Sequence, residues 1–250
     1  MPPWIQEQTE SSTANQLLSP SLLVNAAAPS YEVKFILQES EAQAVEKLLK
    51  ATMVLDNHGQ AVLHGCYEIT SLYFDTVDFA VFHRREGFQY EKHRLRRYGN
   101  EALVYLEKKT RFNQRVQKVR SAVALEDVPG EMLSQSRSGF GAELQDRKLV
   151  PVCKVTYLRK AYIGSSLMGP IRVTFDRSLR GSAETQFCVD PVLSATRLFD
   201  SETIVEFKFL AGMPAFFKQV MEQCRLIASP GSKYRSCIST LGLQQHKEAD

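Results

Sequence analysis

The chain has 250 residues, 44% of them hydrophobic, and carries 31 Lys and Arg against 28 Asp and Glu for a formal net charge of +3. That is enough apolar material for one good-sized core, so a single β-rich domain with a tail is expected. No apolar run approaches the roughly 18–20 residues that span a bilayer, and the N-terminus has neither the basic start of a secretory signal nor the arginines of a transit peptide. The five cysteines (Cys66, Cys153, Cys188, Cys224 and Cys237) are odd in number and scattered. They indicate neither a disulfide framework nor a zinc site, and a soluble protein of a reducing cytoplasm is expected.

Residues 1–29 are rich in Ser, Gln, Asn, Ala and Pro without a sustained period, which predicts a flexible tail, with Leu17 to Val24 as an apolar segment able to dock. "YEVKFIL" from Tyr31 reads as the first strand. Ser40, with Gln43 three residues on, is the expected cap of a helix carried by Ala44, Val45, Leu48 and Leu49 and fading near Met53. "DNHGQ" at 56–60 is turn chemistry, and "YEITSLYFDT" at 67–76 is an aromatic and β-branched strand. A charged hairpin, "YEKHRLRRYGNEALVYLEKKTR" from Tyr90 to Arg111, follows, then a strand near Arg115 to Leu125 and a polar stretch from Pro129 to about Arg147. Residues 152–163 and 171–179 read as strands around a loop with Gly164 and Gly169-Pro170. "TIVEFKFL" at 203–210 is a further strand. Pro214 opens an amphipathic helix with the stripe Phe216, Phe217, Val220, Met221 and Cys224, and a last helix is expected over Lys233 to Leu241, capped by Ser232. Many strands with few helices between them predict a mainly β, α+β fold: an antiparallel closed β-barrel with flanking peripheral helices.

Charge is unevenly placed: residues 1–33 contain no Lys or Arg, while His83 to Arg120 is strongly cationic. In the hairpin Lys92, Arg94 and Arg96 share one face, and His93 and Arg97 share the other. A two-residue Gly99-Asn100 turn would set Arg94 opposite Tyr105 and Lys92 opposite Glu107; any even loop keeps Arg94, Arg96, Glu107 and Lys109 on one face. Glu-x-Lys recurs at Glu32/Lys34, Glu107/Lys109 and Glu206/Lys208, with Val33, Phe35, Val205, Phe207 and Phe209 opposite. An alternating strand ordinarily turns its polar face to water. Six such strands would need an unusually large basic surface, and a barrel with its charges inside resolves this if a polyanion and a divalent metal occupy the lumen. There is no GxxxxGK[ST] loop, so any triphosphate would be held by side chains. The five histidines lack zinc spacing.

"SLYFDT" (71–76), "RLRRYG" (94–99), "LEKKTR" (106–111), "KVR" (118–120), "YLRKAY" (157–162), "IRVTFD" (171–176), "VEFKF" (205–209) and "SKY" (232–234) occur in the order and spacing of the VTC domain. The chain therefore resembles the catalytic domain of the vacuolar transporter chaperone polyphosphate polymerases, relatives of the CYTH-type triphosphate tunnel enzymes. The resemblance spans about residues 30–243, leaving a short polar tail at 244–250. It implies a tunnel in which ATP binds and its terminal phosphate passes to a growing inorganic polyphosphate chain. It implies phosphate-binding roles for Lys34, Arg94, Arg96, Lys109, Lys118, Arg159, Arg172, Lys208 and Lys233, with Tyr157 and Arg120 as further substrate contacts. It also implies Mn²⁺ or Mg²⁺ on Glu206, assisted by Glu107 or Glu32. Hydrolases of the wider superfamily show Glu-x-Glu-x-Lys on the first strand where this chain has Ser30, Glu32 and Lys34, which favours the polymerase. A hydrolase of triphosphate or short polyphosphate in the same tunnel, and a non-catalytic binder of polyphosphate, nucleotide or RNA, are the alternatives; a nucleic-acid partner is not expected. The yeast-type proteins add membrane helices not seen in this sequence, so a separately encoded membrane partner is the corresponding expectation.

Overall fold

Alternation decides the architecture. In the computed structural model, which describes residues 25–129, 139–191 and 194–245, ten strands form one antiparallel sheet. They are β1 (Asn25–Leu37), β2 (Val54–Leu55), β3 (Tyr67–Asp75), β4 (Glu91–Tyr98), β5 (Leu103–Phe112), β6 (Arg115–Ala124), β7 (Val150–Ser166), β8 (Gly169–Ala183), β9 (Thr196–Arg197) and β10 (Thr203–Phe209). The order β7-β3-β4-β5-β6-β1-β10-β8 closes on itself through β7–β8 pairing, with β2 and β9 added at β7 and β8. The expected closed barrel is what the strands build.

The apolar faces point outward, under helices. Phe35, Val205, Phe207 and Phe209 pack with Ala42, Val45 and Leu49 of α1 (Glu39–Leu49) and with Phe217 and Val220 of α5 (Ala215–Gln223). On β3 and β7 part of the inward face is apolar instead: Tyr73, Cys153 and Val155, on the same face as Arg94 and Arg96 by register, pack with Tyr234, Cys237 and Ile238 of α6 (Lys233–Leu241). Each such large side chain contributes about 1.5–3 kcal/mol by burial. Two smaller helices, α2 (Asn57–Gln60) and α3 (Ala80–His83), sit at barrel ends, and α4 (Phe140–Asp146) lies within the stretch expected to be merely polar.

Several boundaries move, for physical reasons. β1 begins at Asn25, because residues 25–27 and 30–31 pair with β6 before Tyr31–Leu37 pair with β10. The remainder of the expected tail, residues 1–24, including Leu17 to Val24, lies outside the described residues, as do 246–250. α1 starts two residues early: the Glu41 carboxylate accepts from the Gln38 N–H at 2.8 Å, so Gln38 rather than Ser40 stands at the cap. Asp56 converts the expected turn at 57–60 into α2 by accepting from the Gly59 N–H at 2.9 Å. β7 and β8 run through Gly164 and Gly169-Pro170, leaving Leu167 and Met168 at the hairpin tip. Between β4 and β5 stand four residues, Gly99 to Ala102, not two, so Arg94 faces Glu107 and Lys92 faces Lys109. An even loop preserves the face and shifts the partner.

Asp75, fully buried at the end of β3, is the fastener between barrel and helices. Its carboxylate accepts from the backbone N–H of Thr76 (2.7 Å), Val81 (2.8 Å) and Phe82 (2.9 Å), and from the Tyr234 hydroxyl. Asp75→Ala would strand these donors in a dry site. Equilibrium urea unfolding is expected to show a loss of about 3 kcal/mol or more; an unchanged midpoint would remove Asp75 from this role.

Candidate functional site

The inward positions of the barrel strands, with Lys233 from α6, bring together most of the residues singled out in the sequence, Arg172 standing at the rim. Contacts between strands that are not sheet neighbours establish that they share one interior: Lys109 on β5 reaches Glu32 on β1 (2.5 Å), and an Arg96 N–H on β4 donates to the Tyr157 hydroxyl on β7 (2.9 Å). Around this lumen the cations are organised by carboxylates.

Glu107, with no exposed surface, is the first hub. Arg94 meets it at 2.6 and 2.7 Å, Arg120 at 3.1 Å, Lys118 at 3.4 Å and Arg96 at 3.8 Å. Burial alone would raise the Glu107 carboxyl, but Arg94, Lys118, Arg96 and Arg120 override it and hold it well below the usual carboxylate range. Arg120 donates to the Tyr98 hydroxyl at 2.6 Å and lies over the Tyr105 ring. Tyr98 is consequently pulled down to about 7: burial would raise it, and Arg120, Arg96 and Lys118 outweigh that. Burial lowers Lys118 to about 8 despite Glu107.

The second hub is a carboxylate pair from the paired strands β1 and β10. Lys208 lies 3.3 Å from Glu32 and 3.4 Å from Glu206, and Lys109 takes the far oxygen of Glu32. Glu206 Oε1 is buried and accepts no hydrogen bond of ordinary geometry. Burial would raise the Glu206 carboxyl; Lys208, Lys34 and Lys109 hold it well below its usual value. Burial pushes Lys109 down to about 8. Two hard carboxylate donors bridged by the Lys208 ammonium, which faces Glu206 Oε1 at 3.4 Å without a hydrogen bond, fit Mg²⁺ or Mn²⁺. Glu107, surrounded by four cations, fits such an ion less well.

Asp176 is a third hub that sequence reading missed. It accepts a two-pronged Arg159 bond at 2.6 and 2.8 Å and a Lys233 contact at 2.6 Å, fastening α6 across the lumen. Burial would raise the Asp176 carboxyl, and Arg159 and Lys233 hold it below its usual range. The signal was present: Arg172, Thr174 and Asp176 share one face of β8. Tyr157 lies between Arg96 and the ammonium of Lys233, 4.9 Å above its ring. Arg172 belongs to a rim position, paired with Asp56 at 2.6 Å. Lys34 reaches the Gly231 carbonyl at 3.5 Å.

The opposite face of the hairpin points outward, as parity requires. Arg97 pairs with Asp190 at 2.6 Å, an ion pair worth at most about 1 kcal/mol where one partner is exposed. Lys108 contacts Glu143 of α4 and Glu91. His93, on the outward face of the hairpin, is covered rather than exposed: it is 1% exposed, with Nε2 3.2 Å from Glu143. The ligand atoms of Glu91, His93 and Glu143 lie within 4.8 Å of one another, and the Lys108 ammonium already neutralises the two carboxylates. Arg97→Ala and Lys108→Ala are expected to keep wild-type turnover within about twofold, whereas His93→Ala should lower the unfolding midpoint, having opened a cavity beneath α4. A turnover loss in Arg97→Ala comparable to that of a lumen variant would refute the assignment of faces.

A closed antiparallel barrel lined with cations and a few ionised carboxylates is the architecture of a triphosphate tunnel. The family model described as the VTC domain matches residues 30–242, and the chain belongs to the VTC domain family. No curated protein matches it. Among solved structures it is similar to a candidate adenylate cyclase from Bacillus halodurans (TM-score 0.50, 11% identity, 83% of this chain and 95% of that one). It is also similar to the candidate adenylyl cyclase HpAC1 from Hippeastrum, described as having a dominant triphosphatase activity (TM-score 0.50, 14% identity, 85% of this chain and 96% of that one). At these identities the likeness shows the fold. Fold and family together support a function related to triphosphate or polyphosphate. No helix among the described residues is long and apolar enough to cross a membrane.

Proposed function

We propose that the domain, over residues 30–243, is an ATP-dependent polyphosphate polymerase that transfers the terminal phosphate of ATP to a growing inorganic polyphosphate chain. The observation that carries this reading is the state of the lumen carboxylates. Glu107, Glu206 and Asp176 are each held below their usual range by adjacent cations. A general base works best near the operating pH, and these groups are far from it. Water would have to be activated by such a base or by a bound divalent ion, whereas the end of a polyphosphate chain is already an oxyanion nucleophile.

Arg94, Arg96, Lys118, Arg159 and Lys233 then hold phosphoryl oxygens in line and neutralise the charge that spreads over them during transfer, with the Arg96–Tyr157 bond fixing one guanidinium. A divalent ion on Glu206 and Glu32 would supply further charge neutralisation on the phosphoryl oxygens. Lys109 and Lys208 hold those two carboxylates apart and ionised. We place the reaction in the cytoplasm, with a separately encoded membrane protein to receive the polymer.

Purified protein with ATP and Mn²⁺ should yield chains of many phosphates on a gel stained for polyphosphate. Release of free phosphate without polymer would replace this reading with the hydrolase. Tight polyphosphate binding without turnover would leave a binding module.

A further inference from the structure

The outside of the barrel carries a constellation that phosphoryl transfer does not use. Glu91 and His93 stand two residues apart on β4, on the face opposite Lys92 and Arg94, so both side chains leave the wall of the barrel together. Glu143 of α4 meets them there, with its Oε1 3.2 Å from His93 Nε2. The three ligand atoms lie within 4.8 Å of one another. Spacing in the sequence could not reveal the group, because its third member comes from another element much later in the chain.

Charge in this cluster is balanced, but hydrogen bonding is not. Lys108 Nζ lies 3.2 Å from Glu91 Oε1 and also contacts Glu143, and Arg147 stands 3.5 Å from the other oxygen of Glu91. Even so, Gln89 Oε1, Glu91 Oε2, His93 Nε2 and Arg147 Nε are buried without a hydrogen bond of ordinary geometry. Buried polar atoms are rarely left so, and an ion bound among them is one of the few causes. His93 is the most telling of the four, being 1% exposed and fixed in orientation by the Phe140 ring, 5.7 Å away between centroids, which itself packs edge-on against Phe74. Burial outweighs Glu143 and holds the imidazole below its usual value, so at neutral pH the ring is uncharged and Nε2 can offer a lone pair.

We propose that Glu91, His93 and Glu143 form a zinc site on the outside of the barrel that pins α4 to β4, with the Lys108 ammonium standing in for the ion until it binds. Zn²⁺ takes imidazole nitrogen at about 2.0–2.1 Å and carboxylate oxygen at about 2.0–2.2 Å, which sets neighbouring ligand atoms of a tetrahedral site about 3.3 Å apart. His93 and Glu143 already stand at 3.2 Å, and Glu91, within 4.8 Å of both, closes the set by a side-chain rotation. The imidazole separates this site from the carboxylate pair in the lumen, whose oxygen donors suit Mg²⁺ or Mn²⁺. Lys108 can give way, since its side chain is 26% exposed and its flexible stem lets the ammonium swing into water. The site does not depend on which reaction the lumen performs.

Titration of the full chain with Co²⁺, followed by visible absorption with Mg²⁺ in excess to keep the lumen carboxylates occupied, tests this. Wild type should bind one equivalent with the strong absorption of four-coordinate cobalt, and added Zn²⁺ should bleach it. His93→Gln should abolish the band, and Glu91→Gln, at a partly exposed position outside the core, should weaken Co²⁺ by at least about tenfold. Lys108→Met, which keeps the stem and removes the competing charge, should tighten Co²⁺ by at least about tenfold. Zn²⁺ should also slow deuterium exchange of the α4 amides in wild type and leave it unchanged in His93→Gln. Absence of the band from both wild type and Lys108→Met, its survival at full strength in His93→Gln or Glu91→Gln, or no gain in affinity in Lys108→Met would overturn the site and leave an ion-pair cluster with Lys108 as its permanent cation.

Discussion

Glu206→Gln is expected to reduce Mn²⁺-dependent polymer formation by about 10²–10³-fold, the loss seen when one preorganised electrostatic contact to a transferring group is removed. The substitution keeps volume and packing on β10 and removes only the charge. Lys208 retains Glu32 at 3.3 Å, so fewer cations are left uncompensated than at Glu107 and the stability loss should be smaller than that of Glu107→Gln. The half-saturating Mn²⁺ concentration should rise by at least about tenfold, since the remaining carboxylate, Glu32, is already engaged by Lys109 and Lys208. A variant that turned over at the wild-type rate with the wild-type metal dependence would end the assignment of metal to this carboxylate pair.

Glu107→Gln should act mainly on the fold. Four cations converge on a carboxylate with no exposed surface, and removing one member of a buried charge group costs about 3–5 kcal/mol, because the others remain uncompensated. Tripolyphosphate should restore part of this in a thermal melt, more than it stabilises wild type, as the added anion takes over the lost counter-charge. Acid titration gives the same contribution by another route. A carboxyl held below its unfolded value stabilises the fold fully above about pH 4.3 and loses that contribution as pH falls through the lower folded value. Wild type should therefore lose stability progressively below about pH 4, and Glu107→Gln should show a shallower acid slope. Arg94→Ala, by contrast, leaves Glu107 three cations and should chiefly weaken triphosphate binding. Equal stability of Glu107→Gln and wild type at neutral pH would show that the lumen charges are solvated rather than mutually held.

The face of each lumen side chain was legible because strand alternation has a period of two, and neither a four-residue loop nor a change of partner alters parity. Arg94 and Lys92 were placed on the right face with the wrong opposite residues, and the site survived the error. What alternation cannot supply is which strands meet across the interior. The Lys109–Glu32 and Arg96–Tyr157 contacts depend on the tilt of the whole barrel, a collective property that no local pattern states. Asp176 was overlooked because an acid in a basic motif reads as an ordinary strand residue until its partners on β7 and α6 are in place. The α1 cap was misread for a similar reason: Ser40 has the better propensity, but Glu41 and Gln38 closed the hydrogen-bond circuit.

The wall of the barrel is not the same all the way round. β1 pairs with β6 only up to Tyr31 and with β10 only from Tyr31 onward, so beside Glu32–Leu37 the place of a strand is taken by the segment before α6, whose Ser229 N–H donates to the Lys34 carbonyl at 2.8 Å. In mechanical terms the hoop has one link joined through a single residue, while the rest is joined by continuous ladders. Strain applied to the hoop, by heat or by a bulky occupant, concentrates at that link, and the Ser229 amide should exchange with deuterium by a local opening well before the amides of β5 and β6.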